Sequence, residues 1–152
     1  MAETRWLSDE EQQTWRAFLA AVRLLTGQLD RELQSESAMP HAYYEILVVL
    51  SEAPGRTLRM NELADRVQSS RSRLSHAVSR LEEAGWVRRQ SCPSDKRGSL
   101  AVLTDNGFAA LEAAAPGHVR GVRRHLFDVL TPTQVEQLGQ ISATIRDGLS
   151  PG

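Results

Sequence analysis

The fourteen residues QSSRSRLSHAVSRL, from Gln68 to Leu81, carry Arg71, Arg73, Arg80, His76 and five serines, and no acid. Guanidinium groups are planar forks of donors that match a phosphate or the guanine edge in the major groove of DNA, and small hydroxyl side chains let a backbone approach its partner closely. Leu74, Ala77, Val78 and Leu81 fall at i, i+3, i+4 and i+7, so in a helix they form one apolar stripe. Arg71, Ser72, Ser75, His76 and Ser79 are then left on the opposite face, with Arg73 and Arg80 on its flanks. A merely solvated face usually mixes both signs of charge, and this one does not. Ser70 stands at the start of the helix, where free N–H groups favour a phosphate. The chemistry this implies is recognition of a polyanion by a helix, and double-stranded DNA is the polyanion whose groove admits one.

A second stretch, RRQSCPSDKRGSLAVLT at 88–104, reads as two extended runs around a tip rich in Pro, Ser, Asp and Gly. Lys96 and Arg97 are expected at the point of that tip. A hairpin beside a helix in the major groove reaches the neighbouring minor groove, where narrow A·T-rich stretches attract an inserted Arg. Arg97 is the inserting candidate, and Asp95, two residues earlier, is expected to hold it or to bond a backbone N–H of the turn. Net charge supports this division of labour. The chain as a whole stands at −1, yet residues 56–97 hold ten Arg and Lys against five acids. A positive middle between acidic ends points to one surface built for an anion.

Positioning these groups requires a specific order of elements. SDEE at 8–11 is a capping box opening a helix over about 9–32, with Trp15, Phe18, Leu19, Val22 and Leu25 at helical spacing. Pro40 suits the first position of a second helix with Tyr43, Ile46, Leu47 and Leu50 inward, closed by APGR at 53–56. A short helix over about 60–67 and a longer one over about 70–84, joined by about three residues and stopped by Gly85, lead into the hairpin. That is a winged helix-turn-helix, with the hairpin as wing. Thr104 caps a further helix to about Val129, expected to be interrupted or bent at Pro116 and Gly117. TPTQ at 131–134 caps a last helix through Val135, Leu138, Ile141 and Ile145. The predicted class is mainly α with a small β-hairpin wing.

GWVRRQSCPSDKRGSLAVLT resembles the wing signature of the MarR family of bacterial transcription regulators: a glycine, an apolar pair, an Arg, then D-x-R-G and a closing L-T. NELADRV and SRLSHAVSRLEEAG look like that family's helix-turn-helix. The resemblance implies a winged helix-turn-helix over 40–104 and a homodimer made by helices in 9–33 and 105–148. It also implies a pseudo-palindromic DNA site and repression relieved by a small effector. Carried over by position, Ser70, Arg71, Ser72, Ser75 and His76 face the major groove, and Asp95 and Arg97 form the wing tip. With Arg73, Arg80 and Lys96 these are the expected DNA contacts. Arg59 departs from the family, which often has Thr there as cap of the short helix.

The resemblance also places an effector pocket between the dimer-forming helices and the winged domain, and Trp15, His41, Tyr43, Tyr44, Trp86 and His118 come from the matching segments. An aromatic lining suits a planar phenolic or carboxylate ligand. Cys92 is the single cysteine, so no intrachain disulfide is expected, and a redox-responsive role for it is the alternative to effector control. His118 and His125 are seven residues apart, too wide for the usual metal pair, and neither a metal nor a cofactor is expected. No nucleophile elbow or phosphate loop is present, which argues against an enzyme. A DNA-packing protein without sequence preference is the other alternative. The N-terminus lacks the basic start and apolar run of a signal peptide and no apolar stretch reaches membrane length, so the expected location is the cytoplasm.

Overall fold

Ser8 opens the first helix through the predicted capping box. Its Oγ accepts the Glu11 N–H at 3.1 Å while Glu11 Oε2 accepts the Ser8 N–H at 2.8 Å, satisfying two donors that a helix start leaves unpaired. The computed structural model describes residues 2–151, with the side chains of Lys96 and Arg97 outside the described residues. Helix α1 (Asp9–Ser37) passes the expected stop near Glu32. Leu29 and Leu33, one turn apart, are buried and extend the apolar stripe, and the helix ends where Ala38 takes a φ of 49°. Helix α2 (His41–Glu52) starts one residue later than expected, because the Pro40 carbonyl already accepts the Tyr43 and Tyr44 N–H groups from the N-cap position. Ile46, Leu47 and Leu50 are buried as the spacing predicts, but Tyr44 is the buried tyrosine and Tyr43 is half-buried.

APGR ends α2 in a 3-10 turn (Pro54–Arg56) with Gly55 at a φ of 62°. The chain then forms a short strand, β1 (Thr57–Arg59), that the sequence reading lacks. Helices α3 (Met60–Arg66) and α4 (Arg71–Glu83) follow, and Gly85, at a φ of 78°, turns the chain into the hairpin. Strands β2 (Val87–Cys92) and β3 (Asp95–Leu103) pair antiparallel, and β1 joins the other edge of β3 in the order β1-β3-β2. Thr57, Leu58 and Arg59 face Val102, Ala101 and Leu100. Helix α5 (Asp105–His125), a 3-10 turn (Phe127–Val129) and α6 (Pro132–Leu149) complete the chain. The mainly α fold with a small antiparallel sheet is the one expected.

Two expectations fail in detail. Helix α5 is not interrupted at Pro116: proline removes one N–H bond, while five alanines around it (Ala109, Ala110, Ala113, Ala114 and Ala115) favour helix strongly, and Leu111 and Ala114 are anchored in the core. The turn of the wing lies at Pro93 and Ser94, so Lys96 and Arg97 are not at its point. Register shows why. Ser91 pairs with Ser99 but Cys92 with Asp95, which leaves Lys96, Arg97 and Gly98 bulged out of the ladder. A bulge re-aims a strand locally, so the two cations sit on a bulge of β3.

The chain divides into two compact units, residues 29–118 and residues 1–28 with 119–152. In the first, Leu47, Leu50, Leu63, Leu74, Val78 and Leu81 are each at most 1% exposed, so α2, α3 and α4 share one core with Leu58, Val87, Ala101 and Leu103 of the sheet. In the second, no residue of α6 is buried, and Trp15, Phe18, Val22, Ile141 and Ile145 are exposed on the single chain.

Candidate nucleic-acid interface

Helix α4 is held from behind by Leu74, Val78 and Leu81, which fixes the direction of its other face. Ser70 serves as N-cap, its Oγ accepting the Arg73 N–H at 3.2 Å, so its hydroxyl is occupied in starting the helix. Arg71, Ser72, Arg73, His76, Ser79 and Arg80 are exposed and Ser75 is half-buried. Arg80 Nη1 lies 3.2 Å from Glu83 Oε2. An exposed pair of this kind is worth little, so it leaves the Arg80 guanidinium open to solvent. The expected contacts of the helix therefore do share a face, but Ser70, Ser75 and Ser79 have internal partners.

The partner of Ser75 and Ser79 is Arg89, one of the ten cations of the positive middle. Its Nη2 donates to the Ser75 carbonyl at 2.6 Å, to Ser75 Oγ at 3.2 Å and to Ser79 Oγ at 3.0 Å. Its Nε lies 3.2 Å from Glu82 Oε1, and its backbone N–H donates to Glu82 Oε2. The signal was available in the strand period. Val87 is buried and Arg88 exposed, so Arg89 returns to the face of Val87, toward α4.

Between α3, α4 and the sheet lies a cleft of about 340 Å³ lined by Arg59, Asn61, Arg71, Ser75, Arg89 and Asp95 among others. Three guanidinium-bearing residues here face one exposed carboxylate-bearing residue, Asp95. Arg59 is the N-cap of α3 and makes no side-chain cap there. Instead its Nη2 donates to Ser94 Oγ at 3.0 Å, and that hydroxyl is 3.3 Å from Cys92 Sγ. Ser94, with Arg59 adding to it, holds the buried Cys92 thiol below its ordinary range. The roles expected of Lys96 and Arg97 rest on side chains outside the described residues.

Of the six residues expected around an effector, the structure brings together His41, Tyr44 and His118. The His118 ring centroid is 4.4 Å from that of Tyr44 and 5.3 Å from that of His41, at a hollow of about 400 Å³ also lined by Glu45, Val48, Val49, Arg66 and Gln68. Tyr43 lines a separate hollow with Ser72, Arg73 and His76. Trp86 packs against the core, and Trp15 lies in the other unit with its ring 6.4 Å from Phe18. Burial pushes the Tyr44 hydroxyl up. Burial, then the neighbouring His41, pushes His118 down, with Glu32 opposing, and His118 Nδ1 is buried without a hydrogen-bond partner.

A histidine with a lowered folded-state pKa binds fewer protons folded than unfolded, so stability rises with pH between the folded value and the ordinary one of about 6.5. Unfolding midpoints measured from pH 7 downward should fall as that window is entered, and His118→Gln should flatten the fall. An unchanged pH profile in the variant contradicts the assignment.

The MarR family model matches residues 39–98, from Met39 into the wing. Sco3205 from Streptomyces coelicolor, a MarR family transcriptional regulator solved in complex with DNA, matches 98% of this chain and 94% of its own at 54% identity, with a TM-score of 0.94. This chain belongs to the MarR family of transcriptional regulators. AbsC, a MarR family transcriptional regulator of the same organism, is 46% identical over 96% of this chain and 98% of its own, with a TM-score of 0.90. PecS of Dickeya dadantii, an HTH-type transcriptional regulator, is 28% identical over 129 residues, 84% of this chain and 75% of PecS. As a MarR family member the chain is a regulator and not an enzyme. Among its described residues no helix is long and apolar enough to cross a membrane.

Proposed function

We propose that this MarR family regulator binds double-stranded DNA with sequence preference, as a homodimer on a pseudo-palindromic operator, and represses until a small aromatic or phenolic effector releases it. The observation that carries the reading is the exposed face of α4 bearing Arg71, Ser72, Arg73 and His76, with no acid from Arg71 to Leu81, on a helix whose other side is locked into the core. Arg71 and His76 supply donors to base edges, Ser72 permits close approach, and Arg73 and Arg80 serve the phosphates. Lys96 and Arg97, on the bulge of β3, are assigned to the adjacent backbone and minor groove on the sequence alone. Asp95, beside the Arg-lined cleft, is assigned to holding the wing.

The homodimer is supported by the second unit. Among the described residues twelve large apolar side chains are exposed on the single chain, Trp15, Phe18, Ile141 and Ile145 among them, and apolar surface on that scale marks a protein contact. The effector is supported by the His41, Tyr44 and His118 hollow. Sco3205, solved in complex with DNA at 54% identity, supports DNA as the partner. The cytoplasm is the location this function needs.

Selection of binding sites from random duplexes by the purified protein tests the reading. The expected product is two inverted half-sites whose centres lie about 10 base pairs, one helical turn, or a multiple of it apart. A pool that enriches no motif, with unrelated DNA competing equally well, identifies a DNA-packing protein instead.

A further inference from the structure

We propose that Arg89 is a positioning residue that locks the wing to α4, and that Ser75 and Ser79 serve this latch, leaving Arg71, Ser72 and His76 to read the bases. The inference rests on the reading of α4 as the DNA-reading helix.

Arg89 stands on β2, yet its side chain turns to α4, where its partners are the Ser75 carbonyl and Oγ, Ser79 Oγ, and Glu82 Oε1. These partners occupy three successive turns of the helix, at i, i+4 and i+7. All three hydrogen bonds leave Nη2, while Nε stands against Glu82 as an ion pair without a hydrogen bond; the guanidinium spans serines and carboxylate because its nitrogens are held apart in one plane, where a lysine ammonium has a single nitrogen. Ser79 Oγ also donates to the Ser75 carbonyl at 3.0 Å, so that carbonyl gathers donors from both helix and wing. Glu82 engages both the Arg89 side chain and its backbone N–H. That carboxylate neutralises the guanidinium locally, which makes Arg89 a poor partner for a DNA phosphate unless the whole set of bonds is broken. Arg88, its neighbour, is exposed on the opposite face of the strand.

The consequence concerns specificity. This contact set holds the angle and depth of α4 in the groove relative to the wing, because it ties β2 to α4 across three turns of the helix. Loosening the latch lets helix and wing approach DNA independently. Binding to any duplex continues, since phosphate contacts tolerate small shifts, whereas base contacts do not.

The test measures equilibrium binding of the full chain, parent and variants, to the selected operator and to a shuffled duplex over a range of salt. Arg89→Ala is expected to lose about tenfold or more on the operator, to keep its affinity for the shuffled duplex, and to keep the slope of log K against log salt. Arg89→Lys should rescue little. Ser79→Ala should weaken operator binding in the parent and change nothing further in Arg89→Ala. Glu82→Gln, which leaves the guanidinium and the fold in place, should reproduce part of the operator loss even if Arg89→Ala proves unstable. A direct phosphate contact gives the opposite pattern: equal losses on both duplexes, a salt slope shallower by about 0.9, and substantial rescue by lysine. That pattern, or additive effects of Arg89→Ala and Ser79→Ala, overturns the latch. If instead the parent itself fails to prefer the operator, the reading of α4 has failed and not the latch.

Discussion

Gly107→Ala should destabilise the 29–118 unit by about 3 kcal/mol or more, at the upper end of what one added methyl costs a well-packed site. Gly107 lies in the first turn of α5. A Cβ there would overlap the Trp86 carbonyl oxygen and meet Leu103 Cδ1 at 2.7 Å and the Trp86 carbonyl carbon at 2.8 Å. Two of these atoms are backbone and cannot swing aside. Thr104 prevents the helix from retreating: its N–H donates to the Trp86 carbonyl, its Oγ1 donates to the Gly85 carbonyl at 2.6 Å, and the same Oγ1 accepts the Gly107 N–H at 3.0 Å. The turn after α4 and the start of α5 are thus tied at the distance only glycine permits. Denaturant unfolding followed by circular dichroism measures the effect, and an unchanged midpoint refutes the contact.

Deleting residues 132–152 should convert a dimer to a monomer and weaken operator binding about 100-fold or more. Helix α6 is well started, with Thr131 and Gln134 forming a reciprocal capping box at 3.2 and 2.9 Å, yet it buries no side chain within its own chain. Ile141, Ile145 and Leu149 are 56%, 44% and 79% exposed. Val135 and Leu138 are only half-buried, and a helix whose apolar stripe stays this open is stabilised by a partner. Two winged domains joined in a dimer bind two half-sites with an avidity of roughly 10² to 10⁴ over one, and deletion forfeits that factor. Ile141→Glu tests the same surface while leaving the chain at full length. Sedimentation and operator binding should change together; a monomeric variant that binds the operator at full strength contradicts the dimer.

Much of this was legible where local chemistry decides. The capping boxes at Ser8 and Thr131, the Gly85 stop and the apolar stripe of α4 are each set by a few neighbouring residues, and each appears in the structure. Decisions made by distant partners were not legible. Strand β1 is three residues long and exists because β3 offers an edge to Thr57–Arg59. Helix α1 outruns its apolar start because Leu29 and Leu33 find a core, and it stops at Ala38 without the glycine that usually marks such a turn. Tyr43 and Tyr44 are adjacent, so choosing the inward one needs the true helix start, one residue past Pro40. The site divides the same way. The α4 face follows from periodicity within one helix. The use of Ser75 and Ser79 depends on Arg89, which arrives from another element ten or more residues away.

Whether the α4 face reads bases is decided by the equilibrium affinity of parent and Arg71→Ala for the selected operator and for a shuffled duplex at one salt concentration. A base-reading Arg71 gives a loss of about 1 to 3 kcal/mol on the operator, the worth of a good base contact, and a much smaller loss on the shuffled duplex. Equal losses on both would make Arg71 a phosphate contact and reduce the helix face to an electrostatic clamp.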